Sequence, residues 1–126
     1  MALTLTGTNI DAPDPHALAA FYAALLGWEI GRALEDDVWL RPPDGGRGLS
    51  FQRERQYQRP AWPAVAGRQQ MMMHLEIRVD DLASAVAHAV SLGATVADHQ
   101  PQDDVRVCLD PAGHPFCLVA APAGVD

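Results

Sequence analysis

The sequence has few cysteines, few basic residues and no long apolar run. Two cysteines in 126 residues are too few for a disulfide framework, which favours a reducing cytoplasmic location. No segment approaches the roughly 18 apolar residues of a membrane span. The N-terminus also lacks the basic region and apolar stretch that mark a signal peptide. We therefore expect a cytoplasmic protein without a membrane partner.

The charge balance is acidic, with 16 Asp and Glu residues against 9 Lys and Arg residues and a formal net charge of −7. Nucleic-acid phosphates need a basic protein face, so this balance argues against a nucleic-acid partner. It permits a cationic ligand, although acidic surfaces also serve solubility alone. The length is that of one domain, and 48% hydrophobic residues are enough for a core.

The sequence does contain two similar passages, at 14–27 and at 80–93. Asp14 and Asp80, and likewise Gly27 and Gly93, are 66 positions apart. Each passage follows one strand-like segment and precedes three more, so each module is predicted to be βαβββ. We expect an α+β fold in which two modules form a curled mixed sheet around a cup, with the helices outside.

The predicted elements follow from alternation, helical spacing and turn residues. Module one covers about 1–55, with strands at 3–10, 28–33, 38–41 and 49–53 and a helix at 15–26. A proline-containing linker covers about 56–70. Module two covers about 71–126, with a first strand from Met71, a helix at 81–92 and strands at 94–97, 105–109 and 116–120.

Several short motifs occur in a characteristic order. Module one contains Asp11-Ala-Pro-Asp-Pro and Leu26-Gly-Trp28, and the linker contains Ala61-Trp-Pro63. Module two contains His74-Leu-Glu-Ile-Arg-Val-Asp-Asp81 and Asp110-Pro-Ala-Gly-His-Pro-Phe116. Together they resemble the vicinal oxygen chelate superfamily of glyoxalases and bleomycin-resistance proteins. The resemblance implies a single glyoxalase-like domain over 1–126.

In metal-dependent members of that superfamily, the first and last strands of each module supply one metal ligand each. The resemblance carries these positions onto His74, onto Thr8 or Asn9, and onto Ser50 and Cys117. The last-strand positions lack the usual carboxylate, so we expect no metal and no cofactor. The alternative is a divalent metal at His74.

Strand alternation places His74, Glu76 and Arg78 on the face opposite Leu75 and Ile77. His74 could hydrogen-bond a ligand, act as an acid–base group, or line the cup without any chemistry. Glu76 and Arg78 could hold a polar ligand or pair with each other.

The two cysteines flank a tight turn. If Leu109 opposes Phe116, then Cys108 faces Cys117, and with His74 they would suit zinc. The alternative is that both are small buried residues.

These observations lead to a small-molecule-binding protein without an intact metal quartet, of the kind that sequesters an organic or antibiotic-like ligand. The alternative is a lyase, isomerase or dioxygenase that uses His74 with a metal or as a base. Catalytic residues stay unassigned. We expect a homodimer, because the linker around Trp62 offers an apolar surface. The expected ligand-binding residues are His74, Glu76, Ser50, Cys117 and Thr8, with Trp39 and Trp62 at the mouth of the site.

Overall fold

The structure, a computed structural model, describes residues 1–120 of the chain. The chain divides into two compact units, one covering Met1–Tyr57 and the other beginning at Gln58. The end of the predicted second module, 121–126, lies outside the described residues. Within 1–120, no helix is long and apolar enough to cross a membrane.

Each unit contains one four-stranded mixed sheet and one helix, in the order βαβββ. The first unit consists of β1 (Gly7–Ala12), α1 (Pro15–Leu26), β2 (Glu29–Ala33), β3 (Asp37–Arg41) and β4 (Gly48–Arg53). The second consists of β5 (Leu75–Val79), α2 (Leu82–Ser91), β6 (Thr95–Val96), β7 (Val105–Leu109) and β8 (Pro115–Ala120).

The two sheets share one topology. Their strand orders are β1-β4-β3-β2 and β5-β8-β7-β6. In each sheet the first and last strands of the unit pair in parallel, and the other neighbours pair antiparallel. The α+β class and the repeated βαβββ module are therefore confirmed.

Helix α1 is fixed at both ends by local chemistry. The Asp14 side chain accepts hydrogen bonds from the backbone N–H groups of His16 and Ala17, and Pro15 starts the helix. Gly27 ends it in the left-handed conformation at φ 71°. On the buried side, the Tyr22 ring stacks on Phe51 of β4 at 5.6 Å between centroids. The helix therefore covers the sheet face that carries Phe51.

Helix α2 begins one residue later than the sequence repeat predicted. Its N-cap is Asp81, which accepts a hydrogen bond from the Ser84 N–H at 3.0 Å, and not Asp80. The two capping residues, Asp14 and Asp81, are thus 67 positions apart. Helix α2 has 10 residues against 12 in α1, so the last helical residues, Leu26 and Ser91, are 65 positions apart, whereas Gly27 and Gly93 are 66 apart.

The turn between β7 and β8 sets a register that the sequence analysis did not predict. Cys108 pairs with Phe116, and Leu109 pairs with Pro115, so the condition for two facing cysteines, Leu109 opposite Phe116, is not met. The cause lies in Asp110, whose backbone N–H donates to the His114 carbonyl at 3.0 Å. This bond pairs Asp110 with His114, so the next pair along the strands is Leu109 with Pro115.

This register separates the two cysteines. Cys117 pairs with Val107, so Cys108 and Cys117 point to opposite faces of the sheet. Both are buried free thiols. The alternative of two facing cysteines with His74 is therefore ruled out by the register, and the alternative of two small buried residues agrees with it.

Candidate functional site

The candidate site lies on β5 and β8 of the second sheet, together with His74, which immediately precedes β5. Glu76 pairs with Cys117 across the parallel strands, and the His74 ring lies close to both side chains. In the first unit, the equivalent face points away from the helix, because the stacked Phe51 lies on the other one. The shared topology places Glu76 and Cys117 on the corresponding face, away from the helix.

Three donor atoms converge there. A ring nitrogen of His74, a carboxylate oxygen of Glu76 and the Cys117 sulfur all lie within 4.8 Å of one another. The His74 side chain is 34% exposed and the Glu76 side chain 66%, whereas Cys117 is buried. The group is therefore accessible from the side of the two polar residues, with the thiol at its base.

The Glu76 carboxylate acts electrostatically on both His74 and Cys117. His74 Nε2 lies 3.8 Å from Glu76 Oε2, which is too long for a hydrogen bond but close enough for charge interaction. Burial raises the pKa of the Cys117 thiol, and the nearby Glu76 charge raises it further. In the free protein this thiol therefore stays protonated at neutral pH.

An apolar wall adjoins the group. Trp62 packs against a buried cluster formed by Ala97, Val107 and Cys117. Its ring also lies 5.5 Å from the His99 ring, at an interplanar angle of 40°. The predicted site residue Trp62 is thus beside Cys117, in the same unit and half-buried.

The side chain of Gln100 holds this wall in place, and sequence reasoning missed it. Its amide nitrogen donates to the carbonyls of Ala97 and Val107, both at 2.9 Å, and its oxygen accepts from the Val107 N–H at 2.8 Å. Gln100 therefore acts like a short extra strand beside β7. A single glutamine in a loop carries no sequence signal for that role.

In the first unit, the equivalent positions hold different chemistry. The pair Asn9 and Ser50 is equivalent to the pair Glu76 and Cys117, 67 positions later, and the same offset matches Gly7 with His74. Asn9 Nδ2 donates to Ser50 Oγ at 2.7 Å, so these two polar groups satisfy each other.

The register also separates the two residues proposed for the first-strand position. Asn9 pairs with Ser50, whereas Thr8 pairs with Leu49 and points to the opposite face. The structure therefore does not bring Thr8 to Ser50, and it places Asn9 there.

Trp39 is the register partner of Ser50 on β3. It is 42% exposed, and its Nε1 donates to Asp37 Oδ2 at 2.8 Å. It borders a shallow depression of about 350 Å³ on the first unit, which Arg32 and Arg41 also line. The predicted site residues thus form two groups, one in each unit: His74, Glu76, Cys117 and Trp62 in the second, and Ser50 and Trp39 in the first.

The comparisons with known proteins agree on one fold. A family model described as "Glyoxalase-like domain" matches residues 7–119. No curated protein matches the chain in sequence. A glyoxalase/bleomycin resistance protein/dioxygenase family enzyme from Burkholderia phytofirmans is 20% identical, with a TM-score of 0.73 over 95% of this chain and 100% of that chain.

Two further solved structures are similar at comparable levels. The glyoxalase family protein from Enterococcus faecalis is 23% identical, with a TM-score of 0.67 over 92% of this chain and 96% of its own. The fosfomycin resistance protein FosX from Mesorhizobium loti is 12% identical, with a TM-score of 0.68 over 98% and 96%. Identities this low demonstrate a common fold only.

Proposed function

The chain belongs to the glyoxalase-like domain family of the vicinal oxygen chelate superfamily, and from that premise we propose that it binds a small organic molecule. The observation that carries the proposal is the pairing of His74 and Glu76 with the apolar wall of Trp62 and Cys117. Sites for small organic ligands typically combine apolar walls with a few convergent polar groups.

The chemistry of these residues favours an uncharged or cationic ligand. The Glu76 carboxylate is exposed and would repel an anion, and the formal net charge of the whole chain is −7. The indole of Trp62 can stack on a flat ring or attract a cation. We infer that the protein sequesters an organic, antibiotic-like compound. One protein with this fold is named for fosfomycin resistance, which supports a role against a toxic small molecule.

A lyase, isomerase or dioxygenase reaction is the second candidate. It is favoured by the His74 imidazole, which lies 3.8 Å from the Glu76 carboxylate and could take or give a proton on a bound molecule. Recovery of the bound compound separates the two functions. A sequestering protein returns its ligand unchanged after prolonged incubation, whereas an enzyme returns a product.

We place this binding in the cytoplasm, without a nucleic-acid or membrane partner. Two free buried thiols support a reducing compartment. The acidic charge balance supports the absence of nucleic acid.

The binding proposal is tested by calorimetry on a compound found by thermal-shift screening of uncharged and cationic organic molecules. His74→Ala should weaken its affinity by about 1–3 kcal/mol, because a buried hydrogen bond to the ligand is lost. The matched control is His88→Ala, since His88 is an exposed histidine of α2 in the same unit. It should bind like the parent protein.

Equal affinities for the parent, His74→Ala and Glu76→Gln proteins, with unchanged circular dichroism, would place the binding site elsewhere. A loss of affinity in His88→Ala as large as in His74→Ala would have the same meaning.

A further inference from the structure

We propose that the first unit carries a second binding site, for a small aromatic carboxylate, in the depression bordered by Arg32, Trp39 and Arg41. The depression has a volume of about 350 Å³. This value lies within the range of roughly 300–1,000 Å³ that is typical of small-ligand sites. Its lining combines two guanidinium groups with an indole. Guanidinium groups bind carboxylates, and an indole stacks on a flat ring.

Both guanidinium groups are available to a ligand. In the part of the chain that the structure describes, neither the Arg32 nor the Arg41 side chain makes a hydrogen bond or an ion pair. Arg53 and Arg55 of the same unit, in contrast, both bind Asp36. An arginine presents its N–H donors in a planar fork that matches the two oxygens of a carboxylate. The depression thus offers two such forks to an anion.

The backbone holds the Arg41 side chain at the depression. Alternation along β3 puts Arg41 on the same face as Trp39, opposite the buried Val38 and Leu40. On the neighbouring strand β2, Gly31 leaves room for the guanidinium, because a Cβ at this position would lie only 3.2 Å from Arg41 Nη2. The guanidinium therefore lies against Gly31 of β2.

Arg32 lines the depression from an irregular part of β2. The register between β2 and β3 shifts between Ile30 and Ala33. Irregularities of this kind change the direction in which a strand side chain points. Arg32 therefore lines the depression from β2, while Arg41 lines it from β3. A carboxylate bound there accepts charge-assisted hydrogen bonds from both strands.

Trp39 offers its ring face and not its N–H group. Its Nε1 already donates to Asp37 Oδ2 at 2.8 Å, and the residue is 42% exposed. The hydrogen bond restrains the indole, so its exposed surface is in place for an aromatic ring. The preferred ligand therefore has a flat ring attached to its carboxylate.

One carboxylate of the protein opposes the binding of an anion. Glu29 is the register partner of Arg41 on β2, yet the two side chains form no ion pair within the described residues. Because like charges repel, the Glu29 carboxylate weakens anion binding beside Arg41. Its neutralisation should therefore strengthen binding, whereas neutralisation of Arg41 should weaken it.

The site is independent of the proposed function. All of its residues lie within Met1–Tyr57, and the His74 group lies in the other unit. The two sites also differ in charge, since the Glu76 carboxylate disfavours an anion and the two arginines favour one. Failure of either proposal is therefore separable from failure of the other.

The test is a nuclear magnetic resonance titration of the full chain with benzoate, and with benzyl alcohol as the uncharged analogue. We expect saturable binding of benzoate and about 10-fold weaker binding of the alcohol. Arg32→Gln and Arg41→Gln should each weaken benzoate binding by about 10-fold, since a charge-assisted hydrogen bond is lost. Glu29→Gln should strengthen it. Benzoate should shift the indole N–H resonance of Trp39, which is identified by its absence from Trp39→Leu.

Two controls separate this site from general charge attraction and from the His74 group. Arg68→Gln removes the same charge from an exposed position of the second unit, and His74→Ala changes the other site. Both variants should bind benzoate like the parent protein. Circular dichroism of each variant checks that the fold is intact.

The proposal is overturned if benzoate does not bind saturably, if benzyl alcohol binds equally well, or if Arg41→Gln keeps the affinity of the parent. A loss in Arg68→Gln as large as in Arg41→Gln would also overturn it, in favour of non-specific attraction. A comparable loss in His74→Ala would do the same, because benzoate would then bind in the second unit.

Discussion

Single residues at equivalent positions decide what each half of the chain can do. Ser50 and Cys117 occupy the same place in the two sheets, yet the hydroxyl accepts a hydrogen bond from Asn9, whereas the thiol lies near two ionisable groups. Exchange of one side-chain atom, oxygen for sulfur, thus separates a hydrogen-bonded polar pair from a buried thiol beside a histidine and a carboxylate. The two units therefore share a strand topology but differ in side-chain chemistry at these positions.

The buried Cys108 thiol should affect the free energy of unfolding at alkaline pH. Burial raises its pKa from 9.0 to about 11, and the neighbouring Cys117 adds to the effect. Because the folded pKa is the higher one, the unfolded chain loses this proton first as pH rises. The stabilising contribution is complete below about pH 9 and disappears as pH approaches 11, a loss on the order of 2 kcal/mol in the free energy of unfolding.

The measurement is urea unfolding of the parent and of Cys108→Ala between neutral pH and pH 11. The free energy of unfolding should fall more steeply with pH in the parent than in the variant. Other groups titrate in both proteins, so the difference between the two curves isolates Cys108. Parallel curves would show that this thiol ionises equally in the folded and unfolded chains.

At the level of elements, the start of helix α2 is where the spacing between equivalent residues of the two units changes. The structure assigns the N-cap to Asp81, which accepts the Ser84 N–H at 3.0 Å, and leaves Asp80 outside the helix. Asp81→Ala should lower the free energy of unfolding by about 1 kcal/mol, because a first-turn N–H loses its partner. Asp80→Ala, which removes the same charge, should change it by less than about 0.5 kcal/mol.

Chemical denaturation of the two variants decides the assignment. A larger loss of unfolding free energy in Asp80→Ala than in Asp81→Ala would show that Asp80 is the N-cap, as its 66-residue offset from Asp14 predicts. Asp14→Ala is the reference from the first unit, and it should cost at least as much as Asp81→Ala. Asp14 accepts two backbone hydrogen bonds, at 3.1 and 3.2 Å, whereas Asp81 accepts one.

On the scale of the whole chain, the order of elements was predictable and the contacts between them were only partly so. Capping residues and alternation are local signals, so both helices and the βαβββ order followed from the sequence. The pairing of Cys108 with Phe116 depends on how the Asp110 turn closes. Alternation along each strand does not determine how many residues belong to that turn, so it does not determine the register. His74 lies beside Glu76, as alternation along this segment predicts, although it precedes the first residue of β5.

The contacts of the linker were likewise not predictable from local sequence signals. Nothing periodic surrounds Trp62, so its packing against Val107 and Cys117 could not be derived from pattern. This packing leaves less of the Trp62 ring available for an apolar contact with a partner. Trp62 is half-buried within its own unit, whereas Val65, Met72 and Met73 are 51%, 81% and 82% exposed. Val65 in the linker, and Met72 and Met73 shortly after it, are thus exposed apolar side chains that a partner could cover.

We accordingly expect a homodimer in which a second copy covers Val65, Met72 and Met73, because large exposed apolar side chains are stabilised by removal from water. Sedimentation equilibrium over a series of protein concentrations should give twice the chain mass of 13.6 kDa. Met72→Glu with Met73→Glu should shift the protein to the monomer, since charged carboxylates resist burial. The control is Val90→Glu, at an exposed apolar position of α2, which should stay dimeric. A monomer mass for the parent protein at every concentration would reject the dimer. A dimer that persists in the double variant would move the interface away from this surface.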